Sequence, residues 1–280
     1  MKTVTTLFIT LILLFNLSGC TPESKIDSDI PTDSSNHTNS GEKQELFFLD
    51  REIKDAIVSR HKGKYLPGEC YGVGYKVIET FEEDDIISVY ALVEYVEYAF
   101  QDGLFVNISG TNPNVLMKFA KKDDGTYDPV YFTRLDIFSG LSDEELEELM
   151  LPLKESGKDY FFSERDLREV RAQCDKCALR YLESIGRNAQ IGRRSEHRGI
   201  TLSDIINDRD FVDELLKDEE LNDYPDWLGT TERVVNGVRY IFKTEYDEPD
   251  NMIIYTEYEY DSGEEIKVIK VDIRQKKRIE

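Results

Sequence analysis

Cysteine and histidine are the side chains in this chain best suited to nucleophilic or metal chemistry. The sequence places Cys70 far ahead of the pair Cys174-Asp-Lys-Cys177, and its histidines are His37, His61 and His197. Two thiols separated by two residues suit redox exchange or zinc. A redox pair is activated where it opens a helix, because the unsatisfied N–H groups there favour the thiolate. The stretch Ser163–Ile185 reads as one helix with the pair in its middle, where that help is missing. Zinc would require the three thiols to converge with an imidazole. His37 falls in a polar stretch, which leaves His61 and His197. The alternative is structural: Cys70, Cys174 and Cys177 pack as small apolar side chains, or Cys70 is paired with one of the other two. We expect no metal and no cofactor.

Other spacings are thinner still. Ser59-Arg-His-Lys62 has the serine–lysine spacing of an acylated nucleophile, but it sits at the end of a predicted helix. The companion Ser-Asp-Asn and Lys-Thr-Gly elements are absent. Gly72-Val-Gly74 lacks the third glycine of a dinucleotide site. Glu94 and Glu97 form a carboxylate pair in sequence, but their odd separation puts them on opposite faces of one strand. Asp123-Asp124-Gly125 supplies too few ordered oxygen ligands for calcium and reads as a turn. Arg187, Arg193, Arg194 and Arg198 could bind an anion; in an acidic chain they are expected to offset neighbouring carboxylates. No residue is assigned a catalytic role and the chain is not expected to be an enzyme. The alternative is a hydrolase whose site would place His61 or His197 beside Cys70, or two carboxylates in one cleft.

The elements that must position these groups are mixed. The predicted order is a helix over Glu45–His61 and then strands at Gly72–Glu82, Ile86–Phe100, Leu104–Ser109, Val115–Lys121 and Tyr127–Arg134. Ile86–Phe100 alternates imperfectly, as a strand partly covered on both faces would. Ser142 and Ser163 each open a helix with acidic residues behind them, and Gly186 is placed to stop the second. Asn188–Gly199 is a polar connection, Leu202–Leu216 a further helix, and Asp223–Asp226 a polar break before Trp227 and Leu228, which enter the core. Strands around Asn236-Gly237, over Met252–Tyr260 and over Ile266–Ile273 close the chain, with Gln275–Glu280 a charged tail. On Met252–Tyr260 the residues Ile254, Thr256, Tyr258 and Tyr260 share one face. The fold class is α+β: an N-terminal helix on a curved antiparallel sheet, in a cystatin-like arrangement, then a helical segment and a C-terminal antiparallel meander. The meander is either a small domain or an extension of the first sheet. The exposed face of Tyr90–Tyr98 and the tyrosines of the meander are the candidate contact surface.

The start of the chain carries an address. Lys2 precedes an apolar run from Val4 to Leu14, too short to span a bilayer. Leu17-Ser18-Gly19-Cys20 follows, and it resembles the lipobox of bacterial lipoproteins. That resemblance implies cleavage before Cys20 and a lipid on its thiol. It divides the chain into a signal peptide at 1–19, a flexible tether at 20–44 rich in Ser, Thr, Asp and Asn, an α+β domain at 45–190, and the helix and meander at 191–280. The formal net charge is -22, which disfavours nucleic acid as a partner.

A second resemblance spans Asp50 to Ile185. Tyr90-Ala91-Leu92-Val93-Glu94-Tyr95-Val96-Glu97-Tyr98, Gly103, Lys118-Phe119, Asp123-Asp124-Gly125-Thr126-Tyr127 and the Cys174 helix are similar to a soluble accessory domain. That domain is attached to membrane zinc metallopeptidases of the beta-lactam-sensor antirepressor type in Gram-positive bacteria. The peptidase motif His-Glu-x-x-His is absent, so the resemblance carries over no peptidase activity. It implies a sensing, binding or interaction module on the extracytoplasmic face of the cell membrane, held there by lipid, with an envelope or membrane-sensor protein as a candidate partner.

Overall fold

The computed structural model describes residues 40–158, 162–193 and 199–279. Cys20 lies outside the described residues, as do the signal segment, His37, Arg194, His197 and Arg198. The architecture is α+β. Helix α1 (Ser40–His61) begins before the expected Glu45, so residues 40–44, read as the end of the tether, are helical. Glu42, Lys43 and Gln44 are good helix formers, but the apolar period starts only at Leu46, and a reading from periodicity enters late.

Five strands follow: β1 (Cys70–Glu83), β2 (Ile86–Gln101), β3 (Leu104–Thr111), β4 (Asn114–Lys121) and β5 (Tyr127–Arg134). β2 is the axis. β1 runs antiparallel along one edge, from Cys70 opposite Tyr98 to Glu83 opposite Ile86. β3 and β4 share the other edge, covering Tyr95–Gln101 and Ile86–Leu92. They continue each other across Asn112-Pro113, where proline has no N–H for the ladder. The Val93 N–H still reaches the Pro113 carbonyl at 3.1 Å.

Strand alternation sends Val89, Ala91, Val93 and Tyr95 to one face, where they pack with Leu49, Ile53 and Ile57 of α1. The other face is covered by α2 (Asp143–Glu155) and α3 (Glu164–Ser184). Tyr90 meets Met150 and Leu153 of α2, while Val96, Tyr98 and Phe100 meet Cys174, Ala178 and Leu182 of α3. Every residue from Val89 to Phe100 is buried. The exposed face expected for Tyr90–Tyr98 therefore does not exist, because helices cover both sides.

Both predicted caps form. Ser142 and Glu145 make a reciprocal capping box on α2, as Ser163 and Asp166 do on α3. Gly186 takes φ +66° just beyond α3, the left-handed position that glycine adopts without strain. Gly72 and Gly74 also find their role in packing. A Cβ on Gly74 would lie 2.1 Å from the Val170 carbonyl oxygen, and one on Gly72 would lie 2.8 Å from that of Cys174. They let α3 press onto the β1 backbone.

The later elements differ more from expectation. The polar connection contains a short strand, β6 (Ile191–Arg193), parallel to β3. Leu202–Leu216 is two helices, α4 (Leu202–Ile205) and α5 (Arg209–Leu215). Ile206 turns extended, and Asp208 caps α5 by accepting from the Phe211 N–H at 3.0 Å. Short acidic side chains favour such caps over helix interiors. A 3-10 turn follows at Glu219–Leu221. Tyr224 and Pro225, read as part of a polar break, are buried, whereas Trp227 is only half-buried.

The meander comprises β7 (Gly229–Val235), β8 (Val238–Asp247), β9 (Met252–Glu259), β10 (Glu265–Asp272) and β11 (Lys277–Arg278). Asn236 and Gly237 both take positive φ, 53° and 82°, as a tight hairpin turn requires. The core side chains of β9 are Ile253 and Tyr255, opposite in parity to the set expected to share a face. β11 falls in the expected charged tail and pairs with β10. The meander joins the first sheet at one ladder pair, Gln101 opposite Thr231.

We expect Gly74→Ala to cost about 1–3 kcal/mol, the range for forcing atoms into a packed interface. Denaturant unfolding measures it, and an unchanged midpoint would mean that α3 does not bear on β1.

Candidate functional site

The residues singled out for chemistry do not converge. Cys174 is buried with its Sγ 3.7 Å from the Glu94 carbonyl oxygen. Burial, reinforced by the nearby Glu94 carboxylate, pushes its thiol well above the usual range, so it is a poor nucleophile. None of Cys70, Cys174 and Cys177 is in a disulfide. No group of three metal-binding side chains occurs among the described residues. Cys70 packs on the α3 side of the sheet and His61 under α1 on the other, so the sheet separates them. Ser59 is exposed on the last turn of α1. Asp124 accepts from the Thr126 N–H at 2.9 Å within a turn.

Glu94 and Glu97 face opposite sides, as their spacing requires. Glu94 accepts two hydrogen bonds from Arg171, each 3.1 Å. Burial raises its carboxyl above the ordinary range and Arg171 only partly offsets this. Glu97 accepts from the Tyr95 hydroxyl and from the Gly68 N–H, the latter at 3.1 Å.

His61 stands in an aromatic box, with ring centroids at 6.0 Å from Tyr65, 5.8 Å from Tyr95 and 5.7 Å from Phe132. It is 4% exposed, and its Nε2 has no hydrogen-bond partner among the described residues. Burial lowers its pKa from 6.5 to about 4, helped by Lys64, Arg60 and Arg134. The native imidazole is therefore neutral while the unfolded one still titrates near 6.5. Stability from this group is complete above pH 6.5 and is lost as pH falls towards 4, by about 3 kcal/mol in total. Unfolding titrations should show that slope, and His61→Phe should abolish it.

A cavity, aromatic side chains and charged groups meet where the meander joins the first sheet. A cleft of about 660 Å³ opens there, within the roughly 300–1,000 Å³ span of ligand sites. The loop Leu66–Glu69 and Gln101 line it, together with Asn222, Trp227 and Val234. A buried ion network reaches the cleft at Glu69 and Glu232, which line it. Arg239 is forked onto Glu69 at 2.6 and 2.8 Å and also reaches Glu232 at 3.0 Å. Arg187 binds both oxygens of Glu232, the Nη2 bond at 3.2 Å. Tyr181 donates to Glu69 at 2.8 Å. The side chains of Glu69, Glu232 and Arg239 are 7%, 8% and 12% exposed. Burial opposes the Arg239 charge, but its bonds to Glu69 and Glu232 outweigh that and raise its pKa further. The Phe100 ring lies 3.6 Å below the Arg187 guanidinium, with Tyr260 at 4.7 Å. Asp102, at the β2–β3 turn, accepts from the Trp227 indole at 3.0 Å and from the Thr230 N–H at 2.6 Å.

The sequence reading gave Arg187 a carboxylate to offset, and Glu232 is that carboxylate. Glu69, Glu232 and Arg239 were not singled out. They come from the entry of β1, from β7 and from β8, and no local spacing ties them together. No protein-family model, curated protein or solved structure matches the chain. No helix among the described residues is long and apolar enough to cross a membrane.

Arg239→Ala leaves Glu69 buried with its charge uncompensated and should cost about 3–5 kcal/mol. The double replacement Arg239→Met with Glu69→Leu should cost far less than the sum of the singles. A double-mutant cycle in denaturant measures both, and additive losses would mean that the two side chains are not coupled.

Proposed function

We propose that the protein is a lipid-anchored module on the extracytoplasmic face of a cell membrane, which binds a ligand without transforming it. The observation that carries the location is Leu17-Ser18-Gly19-Cys20 behind Lys2 and an apolar run, followed by a polar stretch. Its layout fits cleavage before Cys20 and acylation of that thiol. One acyl chain gives only marginal, reversible membrane binding, so a stable hold calls for further acylation or a second contact. The body is acidic and is repelled by anionic headgroups, so it stands off the surface on its tether.

The cleft supports the binding role. Its carboxylates Glu69 and Glu232 are already engaged by the guanidinium groups of Arg239 and Arg187. The similarity of 50–185 to a sensor accessory domain favours a second reading within the same class, a partner subunit for a membrane sensor.

With Cys20→Ala, labelled palmitate should no longer enter the protein and the chain should leave the membrane fraction. Retention in that fraction would overturn the anchor. The released full-length variant can then be unfolded thermally against divalent metals, peptidoglycan fragments, peptides and beta-lactams. A ligand at about 100 times its Kd adds roughly 2.7 kcal/mol, visible as a shift of a few degrees. Turnover of any of these compounds would overturn the non-catalytic reading.

A further inference from the structure

His61 is buried at the end of α1, and the chain that leaves it becomes a wall of the cleft. The segment Lys62–Glu69 runs from α1 to the start of β1, and its second half, Leu66–Glu69, lines the cleft. Most of the segment stands in solvent, from Lys62 to Lys64 and again at Leu66 and Pro67. Nothing lies within 4 Å of a Cβ built on Gly63, so the turn is uncovered. Few contacts hold it. The Tyr65 ring enters the aromatic box around His61. The Ser109 hydroxyl donates to the Leu66 carbonyl at 2.7 Å, and the Gly68 N–H donates to Glu97 at 3.1 Å. Beyond Gly68 the chain is fixed, with the Glu69 N–H on the Tyr98 carbonyl at 2.7 Å. A segment with so few buried contacts opens at lower cost than the core.

The box has no place for a charged imidazole. Its walls are the rings of Tyr65 from the segment, Tyr95 from β2 and Phe132 from β5. Among the described residues Nε2 has no partner, and the hydroxyl near Nδ1 is that of Tyr65, at a long 3.5 Å. The charged groups that face the ring are cations: Arg60 from α1, Lys64 from the segment and Arg134 from β5. Lys62 lies over Tyr71 of β1, whose ring stacks on Tyr95. The neighbouring carboxylates are engaged, Glu97 with Tyr95 and Gly68, and Asp136 with Arg134. An imidazolium formed inside is a buried charge without a counter-ion, beside three like charges. Turned out on the uncovered turn, the same ring is solvated. Glu97 ties the box to the cleft wall a second time, because it accepts from both the Tyr95 hydroxyl and the Gly68 N–H.

We propose that His61 is a pH-sensitive latch: its protonation releases the segment Lys62–Gly68 and opens that wall of the cleft while the sheet stays folded. The latch acts on the cleft to which the binding-module reading assigns the ligand, and rests on that reading. Its test uses no ligand, so a failed latch and a failed binding module are told apart.

Amide hydrogen exchange of the full-length Cys20→Ala chain at pH 7 and pH 5 tests it, each rate divided by the intrinsic rate at that pH. The N–H groups of Lys64 and Gly68 report the segment, and those of Val89 and Val93 in β2 report global unfolding. Lys64 and Gly68 should exchange well ahead of β2 at both pH values. Their corrected rates should rise about twentyfold from pH 7 to pH 5, the ratio that follows when the imidazole moves from a folded pKa of about 4 to an exposed one of 6.5. In His61→Phe, which keeps a ring in the box, the rise should vanish.

A rise that persists in His61→Phe overturns the latch, as does its absence from the parent chain. Exchange of the segment and of β2 at one common rate also overturns it, because the box then opens only when the whole chain unfolds. That comparison needs no histidine variant and holds even where His61→Phe folds poorly.

Discussion

The constraint on which the structure depends is that β2 is buried on both faces and bonded on both edges. A strand in that position cannot present polar side chains without giving each a partner. The sequence meets this with aromatic and β-branched residues along most of its length. The few polar groups are individually satisfied: Glu94 by Arg171, Glu97 by Tyr95 and the Gly68 N–H, and the Tyr98 hydroxyl by Asp175. Arg171 and Asp175 both come from α3, Gly68 from the loop before β1, and Tyr95 from β2 itself. The burial of one strand thus dictates where α3 and the Leu66–Glu69 loop must lie.

The ion pairs of the molecule divide sharply by setting. Pairs along exposed helix faces, such as Arg165–Glu169 and Arg51–Asp55, contribute a few tenths of a kcal/mol at most. The Arg187–Glu232–Arg239–Glu69 network is of another kind. Desolvating four charges is expensive, and the network returns that cost only because its geometry is forked and its lone pairs are occupied. Its value lies in alignment: a shift of β7 against β1 would strand several charges at once.

Local signals in the sequence were read well where the physics is local. The capping boxes at Ser142 and Ser163, the glycine after α3, the Asn236-Gly237 turn and the bounds of β5 all follow from side chains that act on their own backbone. Periodicity failed where tertiary packing overrides it. Leu202–Leu216 has enough apolar residues for one helix, yet Asp208 starts a new one, and the two short helices pack into the same core. β9 alternates on both faces with aromatic and aliphatic residues, so parity alone could not say which set α4 and α5 would cover. The cleft was least legible. Glu69, Glu232 and Arg239 meet across distances in sequence over which no spacing rule operates, and Trp227 was read as core filling when it is half-open beside Asp102.

The joint between the two parts of the sheet has a consequence for how the protein comes apart. Main-chain pairing between β2 and β7 is a single step long, so the backbone alone does little to make the meander and the first sheet melt together. What links them is side-chain chemistry: Asp102 on Trp227 and Thr230, and the buried arginines on Glu69 and Glu232. Charges so placed are hardly screened by salt. Unfolding cooperativity across the joint should therefore persist at ionic strengths that erase the surface pairs. That keeps the cleft assembled when the rest of the electrostatics has been quenched.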